Sequence, residues 1–291
     1  MREAVERHVA DGMAVAMSCS LEPLVPFAAG HEIIRQGRRD LDLIAPISDS
    51  LFDQMVGAGC ARRVTAAWVG NVSEGLGHNY RRAAERSEPG PLEIHDHSNF
   101  SISLALWAAA WGSPYIPTRT LLGSDILSSN PALAVVDGLV RVPALRPDLA
   151  ILHVQRADAL GRAHAWGPLG IAEEAALAAK AVILTCEELV EPEVTLSDPN
   201  RVLVPPSKVV AVVLEAGGAH PAPVQGYWRR DHSFMRTYGE RSRTREGFLE
   251  WLQEWVLGVE DRSAYLRRLG DREALAVRHH RLSAPADYGD E

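Results

Sequence analysis

The residues with chemical potential fall in short polar runs that directly follow apolar ones. "GNVSEGLGHN", residues 70–79, sets Glu74 next to Gly75 and close to Gly77. A carboxylate beside glycine amides can attack an acyl thioester while exposed N–H groups hold the oxyanion. The same run approaches the elbow G-x-S-x-G, but Asn71 stands where the first glycine belongs, and no downstream aspartate and histidine complete a triad. The favoured reading of Glu74 is a solvated loop carboxylate near a helix N-terminus. "SCSLEP", residues 18–23, offers Ser18, Cys19 and Ser20, either as polar pocket lining or as an ordinary turn. It lacks the glycines that let a backbone approach a pyrophosphate, which disfavours a dinucleotide site, and nothing around Cys19 marks a reactive thiolate. In "HDHSNFS" (95–101), His97, Ser98 and Asn99 close one element and open the next, where Ser98 or Asn99 is a natural N-cap that is still compatible with pocket lining. In "PTRTLLGSDI" (117–126), Gly123, Ser124 and Asp125 either bind an anion through backbone N–H groups or form a turn and a cap.

Positioning these runs requires strands that end where they begin. Strands are expected at 12–17, 41–45, 63–70, 92–98, 113–118, 139–144, 149–155, 181–189 and 208–216, with helices at 25–37, 50–59, 78–87 and 99–112 between them. Alternation of strand and helix argues for parallel strands joined by right-handed crossovers. The Val-, Ile- and Leu-rich strands lack strict alternation, as in a sheet covered on both faces. The fold class is therefore α/β, a parallel-rich open sheet with helices on both faces. "NFSISLALWAAAWG" is apolar on nearly every side and is expected to be a buried helix. Beyond residue 231 the pattern is helical and amphipathic to about 270, expected on the flank or at an interface, and the polar end from 280 is expected to fray. One domain over 1–291 is the default organisation.

Composition narrows the classes. With 46% hydrophobic residues, 23% charged and a formal net charge of −8, the chain reads as globular and repels nucleic-acid phosphates. No apolar run reaches the length of a membrane span and no secretory signal is visible, so the expected location is the cytoplasm. Cys19, Cys60 and Cys186 form neither a C-x-x-C pair nor a disulfide framework. The eleven histidines include no H-E-x-x-H, and no metal is expected.

The stretch "EAGGAHPAPVQGYWRRD" (215–231), turn chemistry at the end of an apolar strand, carries a resemblance. It resembles the "APGGAHP…GYY.RD" segment of the A (alpha) chains of family I CoA-transferases, the glutaconate CoA-transferase type. In the same order come "EIIRQGRRDLDLIAP", "GAGCARRV", "HNYRRAAE", "LEIHDHSN", "PYIPTRTLLGSDIL", "VPALRPDLAILHVQRADALGRAHAWGPLG", "DPNRVLVPPSKVVAVV" and "GFLEWLQEWVLGVEDRSAYLRRLG", so the similarity runs from about residue 5 to 270. It implies the fold of the CoA-transferase and ribose-phosphate isomerase-like superfamily, and coenzyme A as substrate with no bound cofactor. It also implies an obligate B (beta) partner, in an α2β2 heterotetramer, whose glutamate carries a glutamyl-CoA intermediate. On this implication His220 and Tyr227 are turn and packing residues. Ser18, Cys19, Ser20, Asn71, Ser73, His97, Ser98, Asn99, Gly123, Ser124 and Asp125 would shape the acyl pocket, and no catalytic residue is assigned to this chain.

Two departures bear on the activity. Where many of the A chains have a "GGFG"-like turn after the first strand this chain has "SCSLE", which alters the pocket wall. A steroid-degrading branch acts as a ring-opening CoA-ester hydrolase and carries a glutamate at the position of Asn99; a neutral amide cannot be a general base, which weighs against that reading. A non-enzymatic metabolite-binding module of the same superfamily is a third expectation, because a fold alone does not establish catalysis; such a module would present no exposed apolar face.

Overall fold

The computed structural model describes residues 1–71 and 74–277. Its strands in chain order are β1 (Ala14–Ala16), β2 (Leu41–Ile47), β3 (Ala61–Trp68), β4 (Gly70–Asn71), β5 (Gly75–Leu76), β6 (Glu93–Asp96), β7 (Tyr115–Thr118), β8 (Ala134–Val136), β9 (Leu139–Pro143), β10 (Leu149–Asp158), β11 (Ala163–His164), β12 (Ala181–Val190) and β13 (Val209–Leu214). The α-helices are α1 (Arg2–His8), α2 (Phe27–Arg35), α3 (Leu51–Gly57), α4 (His78–Arg86), α5 (Asn99–Ala110), α6 (Ile126–Ser129), α7 (Ala172–Ala178), α8 (Pro192–Leu196), α9 (His232–Arg241), α10 (Arg245–Leu252) and α11 (Arg262–Leu269).

The main sheet has the order β13-β12-β10-β1-β2-β3-β6, all parallel, with the short β11 folded back antiparallel on β10. Burial on both faces explains the continuous apolar runs. Odd positions such as Val15, Leu43, Leu149, Ile151 and Ile183 enter the larger core, whereas Ala16, Ile44, Ala150, Leu152, Val182 and Leu184 enter the core on the opposite face. The C-terminal helices do more than flank the sheet: Phe234, Tyr238, Phe248, Trp251 and Tyr265 are buried in that larger core. Asp231, Thr244 and Asp261 cap α9, α10 and α11 through their side chains.

Two expectations are corrected. The segments at 113–118 and 139–144 do not join the parallel sheet; β7, β9 and β8 form a separate antiparallel sheet over their own small core of Leu121, Leu133, Val140 and Val142. The cause is local, since Asp137 and Gly138 both adopt positive φ (52° and 73°) and reverse the chain in a two-residue turn. Secondly, α5 is buried on one face only. Ile102, Ala105, Leu106 and Ala108 pack inward, while Phe100 is 58% exposed and Trp111, the C-cap, 69% exposed. Apolar residues all around a helix demand cover on two sides, and the described chain supplies one. The short, charged α1 is anchored to the core by Ala4 and Val5. The expected frayed end, and "RHH" at 278–280, lie outside the described residues.

Candidate active site

Strand order reverses at β1: the chain proceeds outward through β2, β3 and β6, then returns to β1's other side with β10. At such a switch point the loops leaving the carboxyl ends diverge and open a crevice. Here that crevice is a cleft of about 500 Å³ lined by Leu21, Glu22, Pro23, Ile47, Pro168, Pro223 and Gln225. The walls come from three loops that follow β1, β11 and β13, plus the end of β2. They are tied backbone to backbone: Leu24 N–H donates to Pro223 O (3.0 Å), Ala28 N–H to Gly218 O (2.9 Å) and Ile171 N–H to Cys19 O (2.8 Å). Ser18, Leu21 and Leu24 are held at positive φ (56°, 70° and 57°), unusual for any residue and more so for leucine. Each such residue costs on the order of 1–3 kcal/mol and persists because its surroundings over-determine it.

Behind the cleft lies a chain of charged and polar groups. Arg230 reaches Glu22 with Nη2 (2.8 Å) and the fully buried Asp49 with Nη1 (3.3 Å). Asp49 also accepts from Asn71 Nδ2 and from Ser50 N–H, both at 2.7 Å. Burial nevertheless pushes the Asp49 carboxyl up, against the pull of Arg230 and these donors. Asn71 Oδ1 accepts from the Glu74 N–H at 2.6 Å. The Glu74 carboxylate lies 3.5 Å from Arg236 Nε and 3.8 Å from His232 Nδ1. Glu74 is thus a mostly buried partner of Arg236 and His232 on α9 and not a solvated loop residue, which corrects the expectation; a local reading of the loop does not display contacts to a helix so far along the chain.

A second network fastens the turn after β13. On one face of β10 and β12 the residues change from Leu149, Ile151 and Ile183 to His153, Gln155, Thr185 and Glu187 toward the carboxyl ends. Glu187 accepts from Gly217 N–H (2.8 Å) and Trp228 Nε1 (2.8 Å), and lies 2.9 Å from His153 Nε2. Burial would raise its carboxyl, but these partners outweigh it and hold it below the ordinary value. Gln155 bonds Trp166 through both its amide atoms, at 2.9 Å and 3.3 Å. His220 is buried between Tyr265 OH (2.8 Å) and Asp231 (3.1 Å), and burial lowers it to about 4. Tyr227 OH accepts from Arg156 Nε at 3.4 Å. Both residues hold the turn in place.

The structure disperses the residues singled out from sequence. Ser18, Cys19 and Ser20 are buried and do not line the cleft, which is lined by the next three residues. Burial, then the charge of Glu174, raises the Cys19 thiol so that no thiolate is available. Asn71 is buried behind the cleft, and Ser73 lies outside the described residues. His97, Ser98 and Asn99 follow β6 at the sheet edge. Ser98 accepts from Ser101 N–H and forms a capping box, while His97, lowered to about 4 by burial and then by His95, bonds Ser101 Oγ at 2.9 Å. Gly123, Ser124 and Asp125 belong to the excursion between β7 and β8, where Ser124 Oγ donates to Leu121 O (2.8 Å) and Asp125 O accepts from Ser128. The helix that follows spans four residues, too short for a helix-terminal anion site. Sequence reasoning missed Glu22, Ile47, Pro168, Pro223, Gln225 and Arg230; the glycines and prolines of "WGPLG" and "HPAPVQG" were the available signal. Among the described residues no cluster of three or more His, Cys, Asp or Glu could hold a metal.

An open, parallel-rich α/β sheet with its crevice at the switch point and loops locked by a glycine-rich turn defines the class. A family profile for coenzyme A transferase matches residues 1–215. The chain is 39% identical to the A subunit of 3-oxoadipate CoA-transferase from Pseudomonas knackmussii over 278 residues, 93% of this chain and 97% of that one. It is 30% identical to the A subunit of glutaconate CoA-transferase from Acidaminococcus fermentans, covering 93% and 91% of the two chains. The crystal structure of glutaconate coenzyme A-transferase from that organism superposes with a TM-score of 0.88 at 29% identity, over 95% of this chain and 94% of the other. The chain belongs to the coenzyme A transferase family, as a subunit of the A type. The expected fold and enzyme class are borne out. No helix among the described residues is long and apolar enough to cross a membrane.

Proposed function

We propose that this chain is the A half of a cytoplasmic heteromeric transferase, working with a B-type subunit in an α2β2 assembly, that moves CoA between a dicarboxylic acid and an acyl-CoA. The observation that carries the reading is the cleft at the switch point, apolar on five of its seven lining residues and ionic behind Glu22. A short acyl chain with a charged far end matches that distribution. The two acids in the relatives' names, 3-oxoadipate and glutaconate, are dicarboxylates. Coenzyme A is a substrate, consistent with the family, and no resident cofactor enters the scheme.

The nucleophile in this scheme is a glutamate of the B-type subunit. Its carboxylate attacks the donor thioester, expelling CoA thiolate and forming a mixed anhydride. The thiolate attacks the glutamyl carbonyl, releasing the donor acid and leaving a glutamyl-CoA thioester. The acceptor carboxylate then attacks that thioester, and the expelled thiolate takes the new acyl group and frees the glutamate. Dividing the exchange through covalent intermediates lowers each barrier. This chain contributes the acyl wall, with Ser18 to Ser20 and Asn71 supporting the cleft from within. Two features favour placing the nucleophile elsewhere: Glu74 is engaged by Arg236 and His232, and the apolar surface at Phe100 and Trp111 suits a chain that associates.

The purified chain alone is expected to give no CoA transfer between acids and their thioesters, with turnover appearing once the B-type chain is added. Full turnover by the isolated chain, lost on Glu74→Ala, overturns the allocation. Stoichiometric release of free CoA by the complex without acceptor acid would instead favour a hydrolase.

A further inference from the structure

Arg230 is a guanidinium with two different arms. Its side chain is only 8% exposed, yet the fork bridges the buried interior and the cleft rim. The inner arm is fixed, because Nη1 faces Asp49, itself held by Asn71 and Ser50. The outer arm is not: Nη2 meets the carboxylate of Glu22, which lines the cleft and is 45% exposed. An ion pair with one partner nearly half in water is weak, since solvent competes for that partner at little cost. The outer arm remains a charged N–H donor whose present partner can be displaced, and such a donor forms a charge-assisted hydrogen bond with an incoming carboxylate. From Glu22 the remaining lining, Leu21, Pro23, Ile47, Pro168 and Pro223, offers apolar walls for methylenes.

We propose that the outer arm of Arg230 selects acids with a second, free carboxylate at the far end of the acyl chain, and that Glu22 occupies that arm until the substrate displaces it. Exchange of one carboxylate for another leaves the net charge of the pair unchanged, so Arg230 never faces the interior unpaired. The released Glu22 moves into water. A monocarboxylic chain of equal length ends in a methyl group, which cannot displace Glu22 and leaves the Arg230–Glu22 pair intact at the cleft wall. Selectivity thus comes from a built-in competitor as well as from the cation. The phosphates of CoA carry anionic oxygens too, and would compete for the same arm irrespective of the acyl chain.

The inference rests on the transferase reading, and the experiment separates the two. With the assembled complex, kcat/KM is measured for length-matched acceptor acids, glutarate against valerate and adipate against hexanoate. Wild type is expected to favour the dicarboxylates at least tenfold. Arg230→Lys, which keeps a charge for Asp49 but removes the second arm, is expected to cut that ratio at least tenfold; Glu22→Gln, which leaves the Arg230–Asp49 pair intact, is expected to raise it severalfold by lowering KM for the dicarboxylates. Circular dichroism and urea midpoints confirm folding of both variants. No transfer to any acid by the wild-type complex defeats the transferase reading. Transfer with a ratio that neither variant moves, or loss shared equally by both classes of acid as CoA-phosphate binding would give, overturns the role of Arg230.

Discussion

At the scale of single residues, Glu187 ties three partners together beneath the turn. It is buried, accepts two N–H donors from the turn that walls the cleft, and faces His153. Replacing it by alanine orphans all three at once, and leaving buried hydrogen-bond partners unsatisfied costs about 1–3 kcal/mol for each, so about 3 kcal/mol or more together. Glu187→Ala is therefore expected to lower the stability read from urea unfolding by that amount, and a loss under about 1 kcal/mol would mean that the network does not hold the turn. Such a residue was not legible from its own neighbourhood: "TCEEL" offers two adjacent glutamates, and strand alternation alone decides that Glu187 faces inward and Glu188 pairs with Arg156. Ser18 to Ser20 illustrate the same limit. The polar side chains of that loop mark its position but not its lining residues, Leu21 to Pro23, whose role follows from positive φ and loop-to-loop bonds that no sequence pattern displays.

At the scale of elements, periodicity located the strands of the main sheet and failed where partner choice decides. "VVDGLV" contains the Asp-Gly hairpin signal, which pairs β9 with β8 and keeps it out of the parallel sheet despite its strand-like composition. Apolar residues around α5 correctly marked a helix but overstated its burial. Two glycines separate backbone conformation from space at this level. Gly138 has φ +73° with open space around an added methyl, whereas Gly170, at φ +55°, would place its Cβ 2.3 Å from Cys19 O. Gly138→Ala is expected to cost about 1–2 kcal/mol and to leave transfer rates intact, through backbone strain alone. Gly170→Ala must also push the β1 loop out of the cleft wall, so it is expected to lose more stability and to reduce kcat/KM severalfold. Thermal unfolding and acceptor kinetics on both variants check this, and equal behaviour would show that the contact at Cys19 has no bearing on the cleft.

At the scale of the whole molecule, buried histidines couple folding to pH. His97 and His220 are both lowered from 6.5 to about 4, with burial the leading cause, and His31 is lowered well below its ordinary value for the same reason. Between those limits the unfolded imidazoles bind protons that the folded ones refuse, so stability rises with pH through this window. It is lost progressively as pH falls from about 6.5 toward 4, and each of the two contributes about 2 kcal/mol of difference between pH 7.5 and pH 5. Asp42, Asp49 and Asp53 oppose the trend, because burial raises them and their folded forms keep protons above 3.8 that the unfolded chain releases. The net slope therefore mixes both senses, and single variants isolate the histidine part. In His97→Gln the change in unfolding free energy from pH 7.5 to pH 5 is expected to be smaller than in wild type by about 2 kcal/mol, even though the variant starts less stable. His220→Gln should behave alike, since burial lowers that imidazole despite the opposing pull of Asp231. Wild type and both variants sharing one pH slope in urea melts would mean that these imidazoles are solvated in the folded protein, and that the C-terminal helices enclosing His220 do not close over the turn.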